Sequence, residues 1–428
     1  MAWARRSAAS DVPAMTPFQL VAILMTFVAI AGWINVRTLR IPHGVAMLIV
    51  GIVGALIFFL VEYFWPAFAP VRQIKDMVGH IDFSSAVLGY MLAFLLFSGA
   101  MQVDLGEMRR RWLSIGALAT LGVAASVIIV GTGTWAVAQA LGINLPLAWA
   151  LVFGALISPT DPVAVLATVK RGQLPKSLLV TLEGEALFND GVGIVAFTAL
   201  LALATGSGDA DPGHAVLAVF VQALGGLALG MALSALVIEA MRPIDEFAVE
   251  VSMSIALAMA SYAGAQALGL SGAIAVVGAG ILFGGQRGKE AMRGETEAYL
   301  RGFWKLIDEI LNALLFLLLG IEMLVVPFYL NQIGLLLAAI PLVLLARFVV
   351  VMPWGAYYRI RHADRGATTI LAWGGLHGAL SLALALSLPQ GPERALILAV
   401  TYAVVAFSIS VQGLTFVPLT QYFQRQKQ

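Results

Sequence analysis

Four polar side chains, Glu183, Glu185, Asn189 and Asp190, interrupt an otherwise mostly apolar run that extends from Pro175 to Ala204. An ionised carboxylate in hydrocarbon costs several kcal/mol or gives up its charge, so acids inside a membrane-length helix are read first as functional groups. Asp190 stands near the middle of the run. On an α-helix Glu183 and Asp190 share a face, whereas Glu185 points about 140° away from Asp190, so the carboxylates need different partners. A carboxylate at mid-depth fits a cation-coupled or proton-coupled transporter.

Few other titratable groups lie at that depth: Asp161, Arg347 and His377. A guanidinium keeps its proton, so Arg347 requires a carboxylate, and Glu183, Glu185, Asp161 and Asp190 are the available ones. Asp161 lies in Ile157-Ser-Pro-Thr-Asp-Pro162, and His377 in Trp373-Gly-Gly-Leu-His-Gly378. Proline removes a backbone donor and glycine weakens a helix, so both stretches are expected to break their helices and to line a polar cavity with freed backbone groups. Asp104, Glu107, Asp245, Glu246 and Glu250 read as ordinary charges at helix ends. Asp308 and Glu309, one turn into their span, and Glu322 read as structural pairs rather than vestibule residues.

The elements that carry these residues must be membrane spans. Of 428 residues, 60% are hydrophobic and 11% charged, against about 25% charged in a soluble domain. The chain is therefore an all-α integral membrane protein. It has no cysteine, which excludes disulfides and thiol-bound metals, and its net charge of +1 gives no reason to expect nucleic acid. No cleavable signal peptide is evident: Met1-Ala-Trp-Ala-Arg-Arg leads into a polar stretch, and the apolar run from Phe18 is long enough to span. About thirteen spans of the length a bilayer requires are expected, at approximately 15–35, 43–65, 84–103, 112–140, 146–168, 176–204, 214–239, 246–267, 269–286, 305–328, 333–357, 367–388 and 392–420. With the N-terminus outside and the C-terminus cytoplasmic, five of the 25 Lys and Arg (Arg5, Arg6, Arg72, Lys75, Arg394) lie outside and Arg347 within a span; all others fall inside, as the positive-inside rule requires.

Thirteen divides into six, one and six, an arrangement in which the second six run inverted. The two interrupted stretches then fall in the fifth span of each half, which is the strongest sequence pointer to a transporter's binding site. With His377 the sole histidine near mid-depth and no cysteine, neither an enzyme's nucleophile and base nor a metal triad is present, and no cofactor is expected. A channel has no need of an inverted repeat. A proton-coupled solute symporter, which needs a larger polar pocket, is the remote alternative.

Glu185-Ala-Leu-Phe-Asn-Asp190, Ser158-Pro-Thr-Asp-Pro162, Ala346-Arg347, Gly374-Gly-Leu-His-Gly378, Phe303-Trp-Lys-Leu-Ile-Asp-Glu-Ile-Leu-Asn312 and Ser271-Gly-Ala-Ile-Ala-Val-Val277 together resemble the NhaP-type sodium/proton antiporters. These belong to monovalent cation:proton antiporter family 1, related to the eukaryotic sodium/proton exchangers. The resemblance covers nearly the whole chain. It implies an NhaA-like antiporter fold with two discontinuous crossing helices, core and dimerisation subdomains interleaved in sequence, a homodimer, and a place in the cell's inner (plasma) membrane. Asp190 would bind cation or proton, with Asp161 and Thr160 contributing; Glu185 would pair with Arg347, and Asn189 would tie its helix to the broken one. With asparagine rather than a second aspartate before Asp190, electroneutral one-for-one exchange is implied. The ion would be Na+ or Li+, with K+/H+ antiport as the alternative.

The chain departs from the family pattern at several positions. Ser98 stands where many relatives carry the acid of Phe-Glu-Gly, Ala186 where a serine is usual, and His377 where an arginine is usual, while Glu183 adds a carboxylate to the Asp190 face. Fewer oxygen ligands leave Na+, Li+ and K+ all open. His377, with an unperturbed pKa near 6.5, could sense pH, or it could cap carbonyl ends of the broken helix as a neutral donor.

Overall fold

In hydrocarbon every backbone group must be satisfied within its own segment, so a chain this apolar folds as helices. The computed structural model describes residues 17–38, 41, 43–65, 91–103, 105–161, 174–206, 212–292, 296–322, 329–362 and 366–425, and no strand occurs among them. In chain order the principal helices are α1 (Pro17–Arg37), α2 (His43–Phe64), α3 (Leu92–Gln102) and α4 (Trp112–Ala140). They continue with α5 (Leu147–Ile157), α6 (Lys176–Ala204), α7 (Pro212–Met241), α8 (Phe247–Ala267), α9 (Gly272–Gly284) and α10 (Thr296–Glu322). The chain closes with α11 (Ile333–His362), α12 (Ala367–Gly374), α13 (Ala379–Leu386), α14 (Pro392–Phe407) and α15 (Gly413–Arg425). Among the described residues, 7 stretches are long and apolar enough to cross a membrane: α4, α6, α8, most of α7 and α11, α12 with α13, and Pro392–Phe423.

A helix lies in each of the thirteen expected stretches, and the differences are local. The eighth and ninth are separated by a tight link in which Gly269 takes φ 68°, a left-handed conformation that closes α8 at little cost to glycine. Ser271 then caps α9 by accepting the Ile274 N–H. The tenth helix starts at Thr296 rather than near 305. Leu300 and Trp304, both fully buried, supply the apolar stripe of those early turns, while Lys305 and Glu309 face outward as an ion pair at 3.8 Å. The first part of the third expected span and the second part of the fifth lie outside the described residues.

Two buried apolar clusters organise the packing. The larger joins α2, α4, α5, the later turns of α10 and α11 through α15; the smaller joins α3, α7, α8, α9 and the early turns of α10 around Phe97, Phe283 and Trp304. α6 serves both, through Leu178, Leu182 and Phe197 in the first and Leu187 in the second. The helix that carries the acids thus runs along the seam between them.

Candidate functional site

The α6 acids separate as their spacing requires. Glu183, Ala186, Leu187 and Asp190 line one cavity of about 740 Å³, which also takes Thr160 and Asp161 from the end of α5, Gly378 to Ser381 from the start of α13, and Lys305, Asp308 and Glu309 from α10. Lys305 and Glu309 are mostly exposed, with side chains 69% and 61% accessible, so the cavity reaches the protein surface at the α10 end.

Its inner wall is made by two helix breaks that bond to each other. After α5 ends at Ile157, the Asp161 N–H donates to the Leu376 carbonyl at 2.6 Å. Between α12 and α13, His377 Nδ1 lies 3.3 Å from the Pro159 carbonyl, to which it donates, and the His377 N–H donates to Ser408 Oγ at 2.9 Å. Carbonyls that a continuous helix would satisfy are satisfied here across the crossing. Gly378 is needed at this point, because a Cβ there would come within 2.7 Å of Asp161 Oδ2. Asn189 Nδ2 donates to Thr160 Oγ1 at 2.9 Å, so the residue before Asp190 fixes α6 against the first break.

Glu185, on the opposite side of α6, is buried against Arg347 of α11. The guanidinium makes two hydrogen bonds to the carboxylate, Nη1 to Oε1 and Nη2 to Oε2, the latter at 2.9 Å, and Nη2 also donates to the Leu371 carbonyl at 3.2 Å. Arg347 therefore neutralises Glu185 and does not line the cavity that holds Asp190.

A family model described as sodium/hydrogen exchanger, transmembrane, matches residues 23–422. The chain belongs to that family. It is 40% identical over 410 residues to the Na(+)/H(+) antiporter NhaP of Pseudomonas aeruginosa, covering 94% of this chain and 96% of that protein. It is 33% identical over 411 residues to the Na(+)/H(+) antiporter NhaH of Halobacillus dabanensis, covering 94% and 95%. Among solved structures, the sodium proton antiporter MjNhaP1 of Methanocaldococcus jannaschii has the same fold, with a TM-score of 0.71 at 18% identity over 96% of this chain and 99% of that one.

Within this exchanger the cavity gathers Asp190, Asp161, Thr160 and Glu183. Asn189, Glu185, Arg347 and His377 sit behind its wall. Ser98 stands apart: it is fully buried, donates to the Trp304 carbonyl at 3.0 Å and accepts from Gln102 Nε2 at 3.0 Å, and Gln102 rather than Ser98 lines the cavity. Asp308 and Glu309 are both paired and cavity-lining: Glu309 forms an ion pair with Lys305, Asp308 pairs with the Asn312 side chain, and both acids line the cavity. The available signal was Asp308 and Asn312 at i and i+4 on one helix face, both on the cavity side. Sequence reading also passed over His43 and Ser381 as lining residues.

His377 bridges the two breaks. Because the Pro159 carbonyl can only accept, Nδ1 carries the proton in this contact and the ring is a tie between the two breaks. His377→Gln, whose amide can keep a donor there, is expected to retain turnover with an unchanged pH optimum in a ΔpH assay. A displaced optimum would make the imidazole a sensor instead.

Proposed function

We propose that the chain is a secondary antiporter that exchanges Na+ or Li+ for H+, one for one, through competition of the two ions at Asp190 with alternating access. The observation that carries this reading is the division of charge on α6: Arg347 is committed to Glu185 on one face, while Asp190 on the other lines a cavity open at the α10 end. A cavity-lining carboxylate such as Asp190, with no guanidinium against it among the described residues, is stable either protonated or with a bound cation, and both states are electrically neutral. The names of the relatives, Na(+)/H(+) antiporters, support sodium as the ion. Electroneutral exchange follows from the family resemblance, in which an asparagine such as Asn189, here bonded to Thr160, replaces a second aspartate before Asp190.

The remaining parts of the reading follow the same line. Thirteen membrane-crossing segments in an NhaA-like pair of inverted six-helix repeats fit the helices and the mutually bonded breaks. The distribution of Lys and Arg supports an N-terminus outside and a C-terminus cytoplasmic, and the family resemblance supports a homodimer in the inner (plasma) membrane. In that orientation the described cavity opens to the cytoplasm. The experiment is ion-dependent dissipation of ΔpH in proteoliposomes with Na+, Li+ and K+, with and without a potential clamp. Na+ and Li+ are expected to collapse ΔpH equally well clamped or unclamped. A response to K+ alone would move the assignment to K+/H+ exchange, and a clamp-dependent response would reject electroneutrality.

A further inference from the structure

We infer that Ser381 is a ligand of the transported cation, its hydroxyl oxygen joining the oxygen shell around an ion at Asp190. The inference rests on the antiport reading and adds a residue from the second broken helix to the site.

Ser381 is 1% exposed and lines the cavity together with Asp161 and Asp190, yet its Oγ has no hydrogen-bond partner. A buried hydroxyl without a partner calls for an explanation, an ion or a water being the usual ones. Elsewhere in this protein, helical hydroxyls answer the demand locally: those of Thr132, Thr198 and Thr401 each donate to the carbonyl four residues back. Ser381 is the third residue of α13, so the residue four back, His377, lies in the break and presents no helical carbonyl to it. Thr134, Ser234 and Ser261 also have buried hydroxyls without partners, but none of these lines the cavity.

The chemistry fits an alkali cation. Such an ion sheds water only where protein oxygens replace it, and a neutral hydroxyl adds a ligand without adding charge. That preserves the neutrality of an Asp190–cation pair, which a further carboxylate would upset. The same hydroxyl does nothing for a proton on Asp190 that water could not do. Ser381 therefore governs cation affinity and leaves proton binding alone.

The test uses the full-length protein in proteoliposomes and in detergent. Ser381→Ala and the near-isosteric Ser381→Cys, whose soft sulfur is a poor partner for a hard ion, are expected to raise the Na+ half-saturation by about tenfold. Cation-free thermal stability is expected to stay near wild type, and Na+-dependent thermal stabilisation to shrink in step. Ser381→Thr, which keeps the oxygen, is expected to restore the affinity. An unchanged half-saturation in both Ser381→Ala and Ser381→Cys, a fall in turnover at unchanged half-saturation, or a Ser381→Thr as weak as Ser381→Ala would overturn the assignment. Failure of the wild type to dissipate ΔpH with any cation would instead overturn the antiport reading beneath it.

Discussion

Asp190→Asn is expected to reduce Na+-dependent dissipation of ΔpH to the level of protein-free liposomes, while the variant still inserts and unfolds at a temperature close to that of the wild type. The amide is isosteric and neutral, so packing along the seam of α6 is kept, and the cost of burying a charge is removed rather than added. What is lost is the group proposed to be both an anion for the cation and an acid for the proton. Competition at a single carboxylate also fixes a pH law: below the apparent pKa of the exchange, the Na+ concentration for half-saturation should rise about tenfold for each unit fall in pH. Plotting half-saturation against pH in proteoliposomes checks it. A half-saturation independent of pH, or normal exchange by Asp190→Asn, would place the proton on another group, and Asp161, Glu183 and Asp308 line the same cavity.

How much of this was legible in the sequence depended on whether one helix sufficed to decide it. The division of α6 into a Glu183–Asp190 face and a Glu185 face follows from 100° per residue, and the structure keeps it: Glu183 and Asp190 line the cavity and Glu185 turns to Arg347. Choosing Glu185 for Arg347 from four acids needed the packing of α11 against its neighbours or the family resemblance. The break between α12 and α13 could be read from Gly374, Gly375 and Gly378, but not that His377 would reach Pro159 across the crossing. The start of α10 was obscured for a different reason. Its early turns alternate buried Leu300 and Trp304 with charged residues, and a membrane-span criterion of continuous hydrophobicity cannot see a helix of that kind. Its acids were read as structural pairs, and they do pair along α10, but that they also line a cavity shared with other helices needed the packing. Ser98 shows the converse: a position singled out by its difference from relatives proves to be satisfied within the packing of Trp304.

Arg347→Ala is expected to cost about 3–5 kcal/mol of stability, because it leaves Glu185 buried and uncompensated beside an unfilled Leu371 carbonyl. With the two side chains only 7% and 3% accessible, water cannot take over as the partner. Removing both charges should be milder. Arg347→Met combined with Glu185→Leu replaces the pair by apolar side chains, and such replacements are often neutral in stability. The double variant is therefore expected to unfold well above Arg347→Ala, as read by loss of the monodisperse peak on heating. It should also keep Na+-dependent exchange, since the pair lies on the face of α6 turned away from Asp190 and its task is to hold α6, α11 and α12 in register. Arg347→Lys is not a conservative control, because one ammonium cannot reproduce the two parallel bonds to Glu185 and the third to Leu371. If the double variant proves stable but fails to exchange, then Glu185 or Arg347 carries a proton or cation during the cycle, and the assignment of transport to the Asp190 face alone is wrong.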